Sequence, residues 1–139
     1  MLFRSAPRGG GTGTNGQSLT RGAVLDLSRH MNRIVALDAE ARTVTVEPGV
    51  VLDQLNAHLR PHGVFFPPAV STATRATLGG MIATDASGKG SRVYGRTSDH
   101  VLSLDVVLSD GTGFEVRPDR KSTRLNSSHS GESRMPSSA

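Results

Sequence analysis

Apolar positions along this 139-residue chain change period several times, and each change marks a different element. Val44 and Val46 alternate with Thr43, Thr45 and Glu47, the period-two pattern of a half-buried strand. Residues 33–37 predict its partner, with residues 38–41 as the connection. Pro48-Gly49 breaks the alternation, after which Val51, Leu52, Leu55 and Leu59 recur at helical spacing. Pro61 and Gly63 end that helix, Val64-Phe65-Phe66 predicts a brief strand, and Pro67-Pro68 opens a long loop. Residues 77–82 predict a short helix in which Gly79-Gly80 permits close backbone approach, its N-terminus offering free N–H groups. Residues 85–98 are polar and glycine-bearing and read as a loop. Leu102, Leu104, Val106 and Leu108 then face one way along a strand, and Asp110-Gly111 predicts a hairpin turn into residues 113–116. Upstream, Leu2 and Phe3 predict a short strand and residues 23–27 another, followed by a polar turn at 28–32. The pattern is mixed α+β.

Composition narrows the class. The length gives room for one domain with a modest core, and 35% hydrophobic with 4% aromatic residues is low for it. There is no cysteine, so disulfides and Cys-ligated zinc or iron–sulfur clusters are excluded within the chain. No stretch has membrane-spanning length and no secretory signal is visible, which makes a cytoplasmic location the default, peripheral membrane attachment of a parent protein being left open. The net charge of +4 does not mark a nucleic-acid binder: half of it sits in residues 119–139, and no aromatic-studded basic stripe remains elsewhere.

Residues 119–139 invite separate treatment. Residues 119–129 and 133–139 resemble, in one reading frame, the translated fixed parts of a short-read sequencing adapter, with Ser130, Gly131 and Glu132 at the variable index between them. We read 119–139 as a translation artefact, disordered and excluded from fold reasoning. A natural disordered tail is the competing reading of the same serine-rich composition. Residues 1–118 are the domain.

The densest chemistry lies in Pro7-Arg8-Gly9-Gly10-Gly11-Thr12-Gly13-Thr14-Asn15-Gly16-Gln17-Ser18. A flexible surface linker would have this composition too, but linkers rarely sit between a short apolar strand and an alternating one. Glycines expose N–H groups without side-chain obstruction, the property of an anion cradle. The dinucleotide fingerprint is matched by Gly11, Gly13 and Gly16, yet that fingerprint opens a crossover helix. Only residues 17–22 precede Ala23, too few for a helix. No Gly-Lys-Ser/Thr follows, so a nucleotide-triphosphate loop fails as well. A strand–loop–strand cradle remains, with the Thr12, Thr14 and Ser18 hydroxyls beside the backbone donors.

Three segments in order resemble a known family: PRGGGTGTNGQS, VEPGVVLDQLNAHLRPHGVFFPP and STATRATLGGMIATDASGKGSRVYGRTSDHVLSLDVVLSDG. They are similar to the PCMH-type FAD-binding domain of FAD-linked oxidases of the vanillyl-alcohol oxidase and p-cresol methylhydroxylase type. Within it they resemble the branch acting on D-2-hydroxy acids, which includes D-lactate, glycolate and D-2-hydroxyglutarate dehydrogenases. The resemblance covers residues 7–116 and implies an N-terminal part of that domain, truncated at both ends.

It further implies that Gly9, Gly10, Gly11, Thr12 and Gly13 wrap the FAD pyrophosphate, braced by Asn15 and Ser18. Ser71 and Thr72 would lie beside the cofactor, Thr77, Gly79 and Gly80 would meet phosphate or ring, and Ala83 and Thr84 would line the ring. Gly88, Tyr94 and Gly95 would shape the following loop, Tyr94 either packing or touching the cofactor. Arg8 could neutralise a phosphate or cap its strand; Asp85, Lys89 and Arg92 could face a substrate or simply be solvated. Some members attach FAD through a histidine in the first loop; Gly11 stands at about that place, which predicts non-covalent binding. His30, His58, His62 and His100 have no metal-ligand spacing, and no catalytic residue is assigned, because the family's substrate-binding and proton-abstracting residues lie in later segments.

The implied reaction of the parent is hydride transfer from a D-2-hydroxy acid to the flavin, giving a 2-oxo acid, with little or no activity in this chain alone. Partners would be that small molecule, not nucleic acid; oligomeric state is not legible. A same-fold flavin reductase of cell-wall sugar synthesis and a non-catalytic phosphate- or nucleotide-binding module are the alternatives.

Overall fold

The computed structural model describes residues 4–118. The adapter-like segment and the expected strand at Leu2 and Phe3 lie outside the described residues. Two compact units divide the chain after Asp99.

The first unit opens with β1 (Ser5–Arg8) and β2 (Ala23–Asp26), paired in parallel with Arg8 opposite Asp26. Parallel neighbours need a crossover of roughly a dozen residues, for the second strand must return to the starting end. Here the glycine loop is itself that crossover, and no helix forms in residues 9–22. The dinucleotide-fold reading therefore fails in three dimensions for the reason it failed in sequence.

β3 (Ile34–Asp38) and β4 (Thr43–Val46) form an antiparallel pair. Their register shifts between Ile34 and Ala36. That bulge lets Ile34 and Leu37, at opposite parity, both pack on the core beside Val44 and Val46. The pair is tied at its open end by Arg33 and Glu47. Arg33 donates its backbone N–H (2.8 Å), Nε (3.0 Å) and Nη2 (2.7 Å) to the Glu47 carboxylate. These bonds hold the Glu47 carboxyl below the usual carboxylate range.

A carboxyl depressed in the folded state stabilises above its ordinary pKa and loses that contribution as pH falls through the lowered value. Glu47→Gln is thus expected to reduce stability at neutral pH and to leave a shallower decline than the unmodified chain shows as pH falls below the ordinary Glu value of 4.5. Urea midpoints at several pH values read this directly; parallel declines would refute it.

α1 (Leu52–Leu59) buries Leu52, Leu55 and Leu59. Val50, Leu55, Leu59 and Leu78 form one core cluster against β3 and β4; Leu52, Ala76 and Met81 form another. Val51 supplies no side-chain cap. Instead the Leu52 and Asp53 N–H groups donate to the carbonyls of Ala76 (2.9 Å) and Ala73 (3.1 Å), so the loop ahead of the next helix caps this one.

Pro61 falls inside a 3-10 turn, Arg60–His62, that extends α1 before Gly63 ends it in the left-handed region. The expected strand at 64–66 does not form. The Phe66 N–H donates to Asn56 Oδ1 (2.8 Å), a side chain of α1, in place of a ladder partner. α2 (Leu78–Ala83) follows as expected, whereas the 85–98 stretch read as loop contains a helical turn, α3 (Ser91–Tyr94), and a 3-10 turn, Thr97–His100. Both are single turns, too short to show a helical period in sequence.

In the second unit β5 (Leu104–Val107) and β6 (Gly113–Val116) form an antiparallel hairpin in which Leu104 and Val106 are half-buried, whereas Leu102 and Leu108, expected on the same face, lie outside the strand and are exposed. Asp110 accepts from the Thr112 N–H (2.8 Å) at its turn.

Candidate functional site

The glycine crossover lies directly on the segment that leads into α2. A Cβ at Gly9 would collide with Thr77 Oγ1, and one at Gly10 with the Arg75 carbonyl oxygen. Only glycine lets the two backbones approach this closely. The Val70–Thr77 side of the contact is held by the Arg75 and Ala76 N–H groups, which donate to the Thr72 carbonyl (2.8 and 2.7 Å), and by the bonds to α1 already described.

Backbone donors decide what this junction can bind. Among the described residues, the N–H groups from Gly9 to Thr14 make no hydrogen bond within the chain, and only at Asn15 does one find a partner, Gln17 Oε1 (3.1 Å). α2 behaves otherwise. Its Leu78 and Gly79 N–H groups donate to the carbonyls of Val50 and Pro48, each at 2.8 Å. The expectation of a free N-terminus on that helix is therefore corrected in part: its first two donors hold the helix to the Pro48–Val50 turn, while the N–H of cavity-lining Gly80 makes no hydrogen bond among the described residues. Most of the available donors belong to the glycine crossover, with Gly80 adding one from α2.

A cavity of about 400 Å³ opens between the two walls. From the crossover it is lined by Arg8, Gly9, Gly10, Gly11, Thr12, Gly13, Thr14 and Ser18; from the other wall by Thr72, Thr77, Gly80, Ala83 and Thr84. All of these were singled out from the sequence. Pro7, Gln17, Val70, Ala76, Met81, Ala86 and Ser87 join them. Ala76 and Met81 are core residues whose inner faces also reach the cavity, and apolar periodicity signals only the first role. Ala86 and Ser87 continue the turn after Thr84, so continuity along the chain was the available signal.

The remaining expected residues sit elsewhere. Asn15 and Ser71 do not line the cavity, and Gly79 faces Pro48, where its lack of a side chain permits the helix–turn contact. Gly88 lies against the Ala69 carbonyl; Tyr94 packs edge-on against Phe65 with ring centroids 5.9 Å apart. Gly95 is left-handed (φ 79°) beside the Asp99 carboxylate. These residues shape the loop and not the cavity wall.

Arg8 is the charged residue of the lining, and no carboxylate accompanies it. Its guanidinium stands over Gly11, where a Cβ would come within 2.7 Å of Nη2. Thr77 is 1% exposed, and its Oγ1 has no hydrogen-bond partner among the described residues. A buried hydroxyl left without a partner costs about 1–3 kcal/mol, so one on a cavity-lining residue suits a ligand atom that would complete it. Free N–H donors, an orphaned hydroxyl and a lone guanidinium together suit a diphosphate-bearing cofactor. Among the described residues no cluster of three or more His, Cys, Asp or Glu could hold a metal, and no helix is long and apolar enough to cross a membrane.

Comparison with known proteins agrees with this chemistry. The chain is 65% identical over 112 residues to a D-2-hydroxyglutarate dehydrogenase of Pantoea ananatis and 66% identical over 112 residues to one of Pseudomonas putida. Each match covers 81% of this chain and 11% of the relative, so the chain spans about a tenth of the length of those proteins. A solved structure of an alkyldihydroxyacetonephosphate synthase superposes with a TM-score of 0.71 at 30% identity, over 81% of this chain and 23% of that one. The family described as FAD binding domain matches residues 3–117, and the chain belongs to it.

Proposed function

We propose that this chain is the flavin-phosphate-binding segment of a longer flavoenzyme that oxidises a D-2-hydroxy acid, D-2-hydroxyglutarate being the favoured substrate. The observation that carries the reading is a cavity lined by the Gly9–Thr14 run, whose N–H groups are unpaired among the described residues, and by Thr77 with its orphaned hydroxyl, with no carboxylate among the described lining residues. The names of the relatives at 65% and 66% identity support the substrate.

FAD, when bound, supplies the redox chemistry by accepting a hydride. The residues of this chain bind and orient it. The crossover N–H groups and the Arg8 guanidinium would hold the pyrophosphate charge, and Thr12, Thr14, Ser18 and Thr77 would add hydroxyl donors. Ala83, Thr84 and the neighbouring Ala86 would give the ring a small-residue wall. Gly11 has no atom with which to bond a flavin, and Arg8 fills the space above it, which supports non-covalent binding.

Purified parent protein should carry a visible flavin spectrum that bleaches on adding D-2-hydroxyglutarate under anaerobic conditions. Colourless protein that takes up no FAD would refute the cofactor reading, and flavin that stays oxidised would refute the substrate. Thr77→Val tests the carrying observation. Removing an unsatisfied hydroxyl without changing shape should leave the apo fold as stable or about 1 kcal/mol more stable, while FAD affinity falls about tenfold. Calorimetry and FAD titration separate the two effects.

A further inference from the structure

The turn after α2 carries a residue that neither the cavity nor the core accounts for. Asp85 lies in the left-handed region (φ 45°), where a non-glycine residue costs on the order of 1 kcal/mol. Its side chain reaches across to the stretch that follows α3. Oδ1 accepts from the Ser98 N–H (3.1 Å), and Oδ2 pairs with Arg96 Nη1 (3.5 Å). Arg96 is braced in turn, its backbone N–H donating to Asp99 Oδ2 (2.7 Å).

The same stretch grips the next residue. Thr97 is fully buried and donates twice to the Ala86 carbonyl, from Oγ1 (2.6 Å) and from its N–H (3.1 Å). Ala86 also donates its N–H to the Met81 carbonyl (2.8 Å). Asp85 thus sits between cavity-lining neighbours, Ala83 and Thr84 on one side and Ala86 and Ser87 on the other, without lining the cavity itself. The Ser98 N–H, followed by the Arg96 guanidinium, also holds its carboxyl below the usual carboxylate range, so the latch is charged at neutral pH.

We propose that Asp85 is a positioning residue for the flavin: its carboxylate latches the turn after α2 onto the Arg96–Ser98 stretch and so fixes the small-residue wall of the cavity. The inference rests on the reading that this cavity receives FAD. Strain and latch act together, the left-handed turn being the conformation in which the carboxylate reaches Ser98. A carboxylate that merely tolerated solvent would need neither.

Three substitutions in the parent flavoenzyme separate conformation from latch. Asp85→Asn tolerates a left-handed backbone and keeps an oxygen for the Ser98 N–H; its FAD affinity should stay within about threefold of the unmodified enzyme. Asp85→Gly relaxes the turn but removes the latch, and Asp85→Ala removes the latch while straining the turn. Both should weaken FAD binding about tenfold and alter the visible circular dichroism of the bound flavin. Asp85→Gly with unmodified affinity and spectrum would overturn the proposal, since only the turn conformation would then matter. The unmodified parent failing to take up FAD would refute the proposed function itself, which keeps the two failures apart.

Discussion

Replacing Gly10 with alanine should strip the parent flavoenzyme of its cofactor. The new Cβ would fall on the Arg75 carbonyl, a backbone atom that cannot swing aside. Its segment is pinned by the bonds from Arg75 and Ala76 to Thr72 and from Leu52 to Ala76. The crossover must lift away instead, carrying its free N–H groups out of register with the pyrophosphate proposed to bind there. Losing two hydrogen bonds to a charged group, at about 1.5–3 kcal/mol each, predicts a fall in FAD affinity of about a hundredfold or more.

Gly13→Ala, in the same crossover, is the contrasting case. The three atoms nearest its Cβ belong to the amide end of Gln17, a flexible side chain that can rotate away at the cost of the Asn15 N–H bond, so the loss of affinity should fall well short of the Gly10→Ala loss. Titration of apo-protein with FAD, followed by flavin fluorescence, reads both variants. Equal affinities would show that the close approach at Gly10 is irrelevant to the cofactor.

Leu55→Ala should have the largest effect on stability. Leu55 is 1% exposed and joins Val50, Leu59 and Leu78 in the cluster that Ile34, Leu37, Val44 and Val46 cover. Truncating a buried leucine costs about 2–5 kcal/mol, transfer and cavity terms together. Domains are commonly stable by only about 5–15 kcal/mol, so much of the folding margin would go. Gln54→Ala, on the exposed face of the same helix, should change stability by less than about 0.5 kcal/mol. Urea unfolding of the two variants gives the comparison, and similar midpoints would place the core elsewhere. α1 also anchors Ala73 and Ala76, so Leu55→Ala should weaken FAD binding as well.

Local chemistry accounts for most of what the sequence allowed. The helical spacing of Leu52, Leu55 and Leu59 and the alternation around Val44 and Val46 survive folding because each pattern matches a single element's buried face. The bulge at Ile34 left no such mark, since it depends on the partner strand's register. The 64–66 stretch misled because three apolar residues suit a strand only if a neighbouring strand receives their N–H groups, and Asn56 took the one at Phe66. α3 was invisible for its length.

The candidate site divides in the same way. Sequence alone determined that the glycine crossover would expose backbone donors and that no helix could fit before β2; of the further contacts implied by family resemblance, Thr72, Thr77, Gly80, Ala83 and Thr84 line the cavity and Ser71, Gly79, Gly88, Tyr94 and Gly95 do not. Tertiary structure decided which donors stay free. The Leu78 and Gly79 N–H groups of α2 were committed to Val50 and Pro48, distant in sequence, whereas those of Gly80 and of the crossover were not. It also left Thr77 Oγ1 without a partner and turned the Asp85 side chain toward Ser98. Donor-bearing residues can be read from composition, but whether a donor is spent depends on which carbonyl packing brings to it, and that is a property of the folded chain.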